Sequence, residues 1–180
     1  MSSNANGPRE VAVPVSVFEA IRAEFEKDTG TLRTVRAMHH AGYEAGVSAS
    51  EHLNREAGGD VRSLGTAAFW AQLSAYFEKR GWGSLEHRSP HAAVSLLTST
   101  NWAEVMAGRP RPEGSCSFSS GFLSGLLSQL AGGAVAVLEV KCRSRGDDAC
   151  SFAFGSETAI HDLYGHMLGD HDLEQALQAL

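Results

Sequence analysis

The sequence is poor in the features that mark several large functional classes. No run of Lys and Arg is long enough to make a nucleic-acid face, and the densest basic stretch, Arg109-Pro110-Arg111-Pro112, is too short to count. No apolar run reaches membrane-spanning length, so no membrane span is expected. Neither the phosphate loop G-x-x-x-x-G-K-S/T nor the dinucleotide fingerprint G-x-G-x-x-G occurs, which removes the usual cradles for ATP and for a hydride carrier. No Ser/His/Asp or Cys/His catalytic arrangement stands out, so the chain is not expected to be an enzyme. The start, Met1 to Gly7, is polar and small, without a basic region followed by an apolar one. No secretion signal is expected there, and the expected location is cytoplasmic. Cysteine is scarce: three residues is an odd count for a disulfide scaffold. In a cytosolic setting, clustered thiols more often hold metal or stay reduced.

What is present fits one folded unit. A chain of 180 residues can bury a real core. A net charge of −6 is mild and points to no strongly charged partner. Residues 1–15, with Pro8 and Pro14, read as a flexible N-terminal tail; 16–168 as a single domain; 169–180 as an amphipathic C-terminal segment, a candidate docking surface.

The period of the apolar residues gives an α+β plan. Helices are predicted over 16–28, where Ser16 and Glu19 suggest a capping box, over 31–57 and over 63–80. The second should present Leu32, Val35, Met38, Tyr43 and Val47, and its Gly42 and Gly46 suggest close helix packing, offered here as a dimer seam. Then the period changes. Trp82–Arg88 and His91–Ser99 read as strands joined by a turn at Ser89-Pro90. A short helix around Trp102 and a Pro/Gly loop over 108–114 follow. Residues 117–130 form a clear helix, with Gly121 and Gly125 leaving a smooth patch. Residues 134–140 and 149–154 are two more strands around a polar turn, and Ser156 caps a helix over 157–168. His161, His166 and His171 recur at five-residue steps, off any shared helical face, and are expected to be solvated. The expected architecture is N-terminal helices packed on a four-stranded antiparallel sheet, made of two hairpins with a helix between them.

All the cysteine falls in one pattern, C-x22-E-x2-C-x7-C, formed by Cys116, Glu139, Cys142 and Cys150. Each lies at the edge of a predicted element. Cys116 precedes a helix N-terminus, where the macrodipole favours a thiolate. Zinc prefers four tetrahedral ligands at ~2.0–2.3 Å, and four protein ligands leave no open position, which marks a structural site. Two other readings stay open: three buried apolar thiols with a surface-paired glutamate, or a Cys142–Cys150 disulfide across the hairpin.

The run Cys116-Ser117-Phe118-Ser119-Ser120-Gly121-Phe122-Leu123-Ser124-Gly125-Leu126-Leu127, then Val137 to Cys142, then Gly146 to Phe152, resembles the 4-vinyl reductase domain; Gly81-Trp82-Gly83 fits the same pattern. The likeness spans about residues 31–155, and its final third is the specific part. That family includes the sensor domains of phenol- and xylene-responsive activators and a bacteriochlorophyll-biosynthesis protein. It is similar in fold to the small subunits of the TRAPP tethering complex (the ligand-binding NO-signalling and Golgi-type fold). The resemblance implies a structural Zn2+ on Cys116, Glu139, Cys142 and Cys150. It also implies pairing into a homodimer and a pocket between the helices and one sheet face. By position, the pocket candidates are Phe69, Trp70, Phe77, Trp82, His91, Trp102, Phe122 and Leu126. The expected function is a small-molecule-binding sensor or carrier for a hydrophobic or aromatic ligand, acting through a partner protein. An accessory role in tetrapyrrole synthesis and a protein-binding adaptor without ligand are the alternatives. Two features depart from the activators. The sequence lacks their ATPase motif, and no position matches the His and Trp that grip the phenol hydroxyl.

Overall fold

A computed structural model describes residues 9–105, 114–169 and 171–180. Helices α1 (Ser16–Thr29), α2 (Thr31–Glu56) and α3 (Thr66–Lys79) come first, with a 3-10 turn at Val61–Ser63 before α3. Strands β1 (Glu86–His91) and β2 (Val94–Ser99) follow, then α4 (Ser117–Ala131), β3 (Ala136–Lys141), β4 (Cys150–Gly155), α5 (Glu157–Leu168) and α6 (Leu173–Gln178). The strands form one antiparallel sheet in the order β1-β2-β4-β3, so the two hairpins meet along β2 and β4. The fold is the expected α+β arrangement. No helix among the described residues is long and apolar enough to cross a membrane.

The sheet is covered on both faces. On one side Leu97 and Phe152 pack with Leu73, Phe77, Leu123 and Leu126 of α3 and α4. On the other, Leu96, Val140 and Ala153 pack under Ile160 and Leu163 of α5 and Ala176 and Leu177 of α6. The apolar side of the C-terminal segment is therefore used on the chain's own sheet rather than left free for docking. Asp172 and Gln175 form a capping box that fixes the start of α6.

Helices α2 and α4 touch backbone to backbone. A Cβ on Gly42 would lie 2.1 Å from the Phe118 carbonyl oxygen, and one on Gly46 would lie 2.0 Å from that of Phe122. From the other side, a Cβ on Gly121 or Gly125 would meet the carbonyl oxygens of His39 and Tyr43 at 1.9 and 2.1 Å. The expected close packing exists, but it lies within one chain and not at a dimer seam. It also turns α2. Its buried stripe is Thr34, Met38, Gly42, Gly46, Ala49 and Leu53, while Leu32 is exposed.

Three local expectations fail for identifiable reasons. Ser89 and Pro90 lie inside β1, at a register irregularity on the sheet edge where proline's missing N–H does no harm. The hairpin turns instead at Ala92-Ala93, where His91 Nδ1 accepts from the Ala93 N–H at 3.2 Å. Trp82–Leu85 is irregular, held by Asn101, whose Oδ1 accepts from the Ser84 N–H. No helix forms over residues 100–105, and the loop predicted over 108–114 lies outside the described residues except for Gly114. Helix α1 begins after Val15, which offers no capping side chain, so the predicted Ser16 cap is not made.

Gly46→Ala should force the helices apart and cost about 3 kcal/mol, because the obstacle is backbone that cannot rotate away. Urea denaturation measures this against Gly59→Ala, whose Cβ meets nothing within 4 Å and should change stability by less than about 0.5 kcal/mol.

Candidate metal centre and ligand cleft

The four residues of the cysteine pattern converge. One ligand atom from each of Cys116, Glu139, Cys142 and Cys150 lies within 4.8 Å of the other three. Cys116 Sγ is 3.7 Å from Cys150 Sγ and 4.0 Å from Cys142 Sγ. A tetrahedron with metal–sulfur bonds of about 2.3 Å has edges of about 3.8 Å, so these separations suit one ion. They are too long for a disulfide, and all three cysteines are free and buried. The Cys116 N–H donates to Glu139 Oε2 at 3.3 Å. Glu139 Oε1 is buried and has no hydrogen-bond partner within the protein. An orphaned carboxylate oxygen among three thiols is what a donor set lacking its cation should show.

A β-bulge makes the convergence possible. Residues three apart on a regular strand face opposite ways. Here Glu139 pairs with Phe152, but Lys141 pairs with Ser151, so one residue is extra on β3. The bulge shifts the parity, and Cys142, which follows β3, faces the same side as Glu139. Cys150 opens β4, two residues before Phe152 and on the same face as it. The turn between them is fixed by Asp147, whose carboxylate accepts from the Cys142 N–H at 2.6 Å. Hydroxyls of Ser144 and Ser115 lie 3.0 and 3.6 Å from Cys142 Sγ, positioned to donate to a thiolate. Gly114 has φ +79°, and a Cβ there would meet Glu139 Oε2 at 2.5 Å, so glycine is needed on both counts.

Charge is crowded here. Hydrogen bonds from the Cys116 and Cys150 thiols hold Cys142 far below the usual thiol range. Cys116, which donates to Cys142 and Cys150 and is buried, is driven far above it. Burial and the Cys142 charge push Glu139 up to about 9. The bond to Cys116 pulls Cys150 down, but the bond to Cys142 and burial together outweigh it and carry the thiol up to about 12. Without a cation the pocket therefore holds one negative charge comfortably and not four. A divalent ion would displace the remaining protons.

Next to this cluster lies a feature with no sequence signal. Glu104 is buried and receives the Phe118 and Ser119 N–H groups at 3.0 and 2.7 Å. It thus caps α4 from outside the helix, at the positive end of the dipole. Arg22 of α1, also buried, reaches Glu104 at 3.5 Å and donates to the Ser115 carbonyl at 2.6 Å and to Ser117 Oγ. Trp102 Nε1 donates to Ser119 Oγ at 2.7 Å, and that hydroxyl in turn donates to Glu104. Burial pushes the Glu104 carboxyl up to about 7, opposed first by the Ser119 hydrogen bonds and then by the Arg22 charge. Trp102, expected to line a pocket, serves instead to position this network.

The pocket candidates divide into three groups. Phe77, Trp102 and Leu126 are fully buried in the core, with the Phe77 ring 5.2 Å from that of Trp102. Phe69 and Trp70 border a shallow hollow of about 340 Å3 beside α4 and β4, and Trp70 stacks on His87 at 3.9 Å. Trp82 and Phe122 line a larger cleft of about 620 Å3 between the N-terminal segment, α1, α2 and α3. His91 lines neither. The larger cleft also presents Phe18, Tyr76, Arg80, His52 and Glu10. None of these was singled out from the sequence, although Phe18 stands on a predicted helix face.

Arg22→Met should leave Glu104 buried without its counter-charge and cost about 3 kcal/mol. The double change with Glu104→Gln should recover most of that loss. Chemical denaturation of both variants checks this, and a cost for Arg22→Met under about 1 kcal/mol would show that the pair does not lock the start of α4.

Comparison with known proteins agrees with this geometry. An uncharacterized protein of Methanocaldococcus jannaschii is 26% identical over 140 residues, covering 78% of this chain and 67% of that protein. The phenol-responsive sensory domain of the transcription activator PoxR, solved with phenol, superposes with a TM-score of 0.64 at 16% identity, covering 82% of this chain and 77% of that one. A vinyl-4-reductase family protein from Methanocaldococcus jannaschii gives 0.56 at 19% identity, covering 81% and 83%. A trafficking protein particle complex subunit 3 from Naegleria fowleri, covalently bound to palmitic acid, gives 0.60 at 13% identity, covering 78% and 91%. These likenesses establish a shared fold. Residues 103–156, which hold the whole cysteine and glutamate cluster, match the family model of the 4-vinyl reductase domain, and it is to that family that this chain is similar.

Proposed function

We propose that this protein is a small-molecule-binding domain, a sensor or carrier for a hydrophobic or aromatic ligand, stabilised by a structural zinc ion. The observation that carries this reading is the cleft of about 620 Å3, walled by Phe18, Trp82 and Phe122 and furnished with a few polar groups. Binding sites for small molecules are typically of this size and lining. The fold shared with a phenol-responsive sensory domain supports the same class of ligand. Zinc suits a donor set of three thiols and a carboxylate, and four protein ligands would leave no position for substrate. The ion would tie the start of α4 to the β3–β4 hairpin and supply stability rather than chemistry. A response would pass to a partner protein or a second copy, and exposed Ile21, Phe25 and Leu32 supply apolar surface for that contact.

Native mass spectrometry of protein purified without chelator should show one zinc per chain. Stripping it should lower stability by roughly 4 kcal/mol, the linkage expected when the ion is present at about a thousandfold over its Kd. Less than one metal per two chains would contradict the zinc assignment. For the cleft, Ala45→Trp places a large side chain among its lining residues. It should abolish binding of apolar probes while leaving the melting temperature within a few degrees of the parent, and full binding by that variant would remove the cleft as the site.

A further inference from the structure

We infer that the cleft selects hydrophobic carboxylic acids, and that Glu10 occupies the carboxylate position until such a ligand displaces it. The inference rests on the cleft being a small-molecule site and names the ligand class it would take.

Glu10 lies on residues 9–15, which form no helix or strand. Its carboxylate makes a forked pair with Arg80, Oε1 to Nε at 2.9 Å and Oε2 to Nη2 at 2.7 Å, and accepts from the Tyr76 hydroxyl at 3.0 Å. Two-pronged guanidinium–carboxylate contact of this kind is strong and geometrically selective. Little else holds this segment. Val11 is 84% exposed and Val13 49%, so their apolar side chains gain little from the cleft they border. The segment is anchored by a head group and lacks an apolar tail in the site.

The receptor for that head group is built independently of it. Arg80 also reaches Glu56 at 2.7 Å, donates to the Tyr76 carbonyl at 3.2 Å, and lies over the Tyr76 ring at 3.6 Å. With Glu10 gone, the guanidinium would keep its place, which is the preorganisation that favours tight binding. Glu10 is the one carboxylate among the described residues lining the cleft, against Arg9, Lys79 and Arg80. His52 adds an unused polar atom: Nδ1 is 4.0 Å from Glu10 Oε2, and Nε2 is buried with no hydrogen-bond partner. Apolar rings of Phe18, Trp82 and Phe122 line the same cleft and could receive a hydrocarbon or aromatic body. A carboxylate receptor beside an apolar trough fits an acid with a hydrophobic tail better than a neutral phenol or alcohol.

The test compares decanoate with decanol on the full chain, by calorimetry and by quenching of tryptophan fluorescence. Decanoate should bind about tenfold tighter than decanol. Glu10→Ala should raise decanoate affinity about tenfold by removing the internal competitor, with decanol unchanged. Arg80→Gln should erase the preference for the acid. Tyr76→Phe, which keeps the ring under Arg80, should weaken decanoate about threefold and spare decanol. Equal binding of acid and alcohol, unaffected by Arg80→Gln, would leave the cleft as a ligand site but overturn the acid selectivity. Weaker decanoate binding in Glu10→Ala would make Glu10 a strut and overturn the displacement. If neither probe binds the parent chain or Glu10→Ala, both the selectivity and the small-molecule reading of the cleft fail together.

Discussion

Four groups that each tend to become anionic are packed within 4.8 Å of one another in a largely buried pocket. That is the constraint on which the rest of the structure turns. Burying one unpaired charge is costly, and burying several like charges together is far worse. The protein on its own accommodates the cluster by leaving most of it protonated, at the expense of an unsatisfied carboxylate oxygen. A divalent cation would resolve both problems at once, and the sulfur spacings already match the edges of its coordination shell. The three elements that meet there, the start of α4, the end of β3 and the start of β4, are distant in sequence, so such an ion would act as a cross-link between them.

Helix α4 carries that restraint into the rest of the molecule. Its N-terminus is held by Glu104 and Arg22 as well as by the cysteine cluster. Its middle lies against α2 at backbone contact, through Gly42, Gly46, Gly121 and Gly125. Close approach of this kind leaves no room for side-chain adjustment, so α2 and α4 form one rigid unit. Phe118 and Phe122 ride on that unit, and Phe122 forms part of the cleft wall. The cluster and the cleft are thus attached to the same helix, separated by less than two turns of it. This is an arrangement in which a stabilising ion sets the position of a ligand-contacting ring without touching the ligand.

Much of this was legible in the sequence, and the failures share a cause. The long apolar periods located the helices, and cysteine's rarity made Cys116, Cys142 and Cys150 conspicuous. Glu139 was legible from its spacing, yet that spacing has the wrong parity for a regular strand; only the bulge at β3 reconciles it, and nothing local signals a bulge there. On α2 the bulky residues Leu32 and Val35 suggested one face, but the helix is buried along its small residues, because backbone contact with α4 outweighs the burial of a leucine. Ser89-Pro90 looked like a turn, since proline's value as a turn former is local while its tolerance at a sheet edge is tertiary. Arg22, Glu104 and Glu10 were passed over because a charged residue's partner, 66 to 95 positions away here, cannot be read from its neighbours. Periodicity reports what faces the core; it is silent on long-range pairing of charge.

The most direct test of the central claim is X-ray absorption at the zinc edge on the intact chain loaded with one equivalent of metal. The account predicts a four-coordinate shell of three sulfurs at about 2.3 Å and one oxygen at about 2.0 Å. A shell of nitrogen and oxygen only, or a site with fewer than three sulfurs, would contradict it.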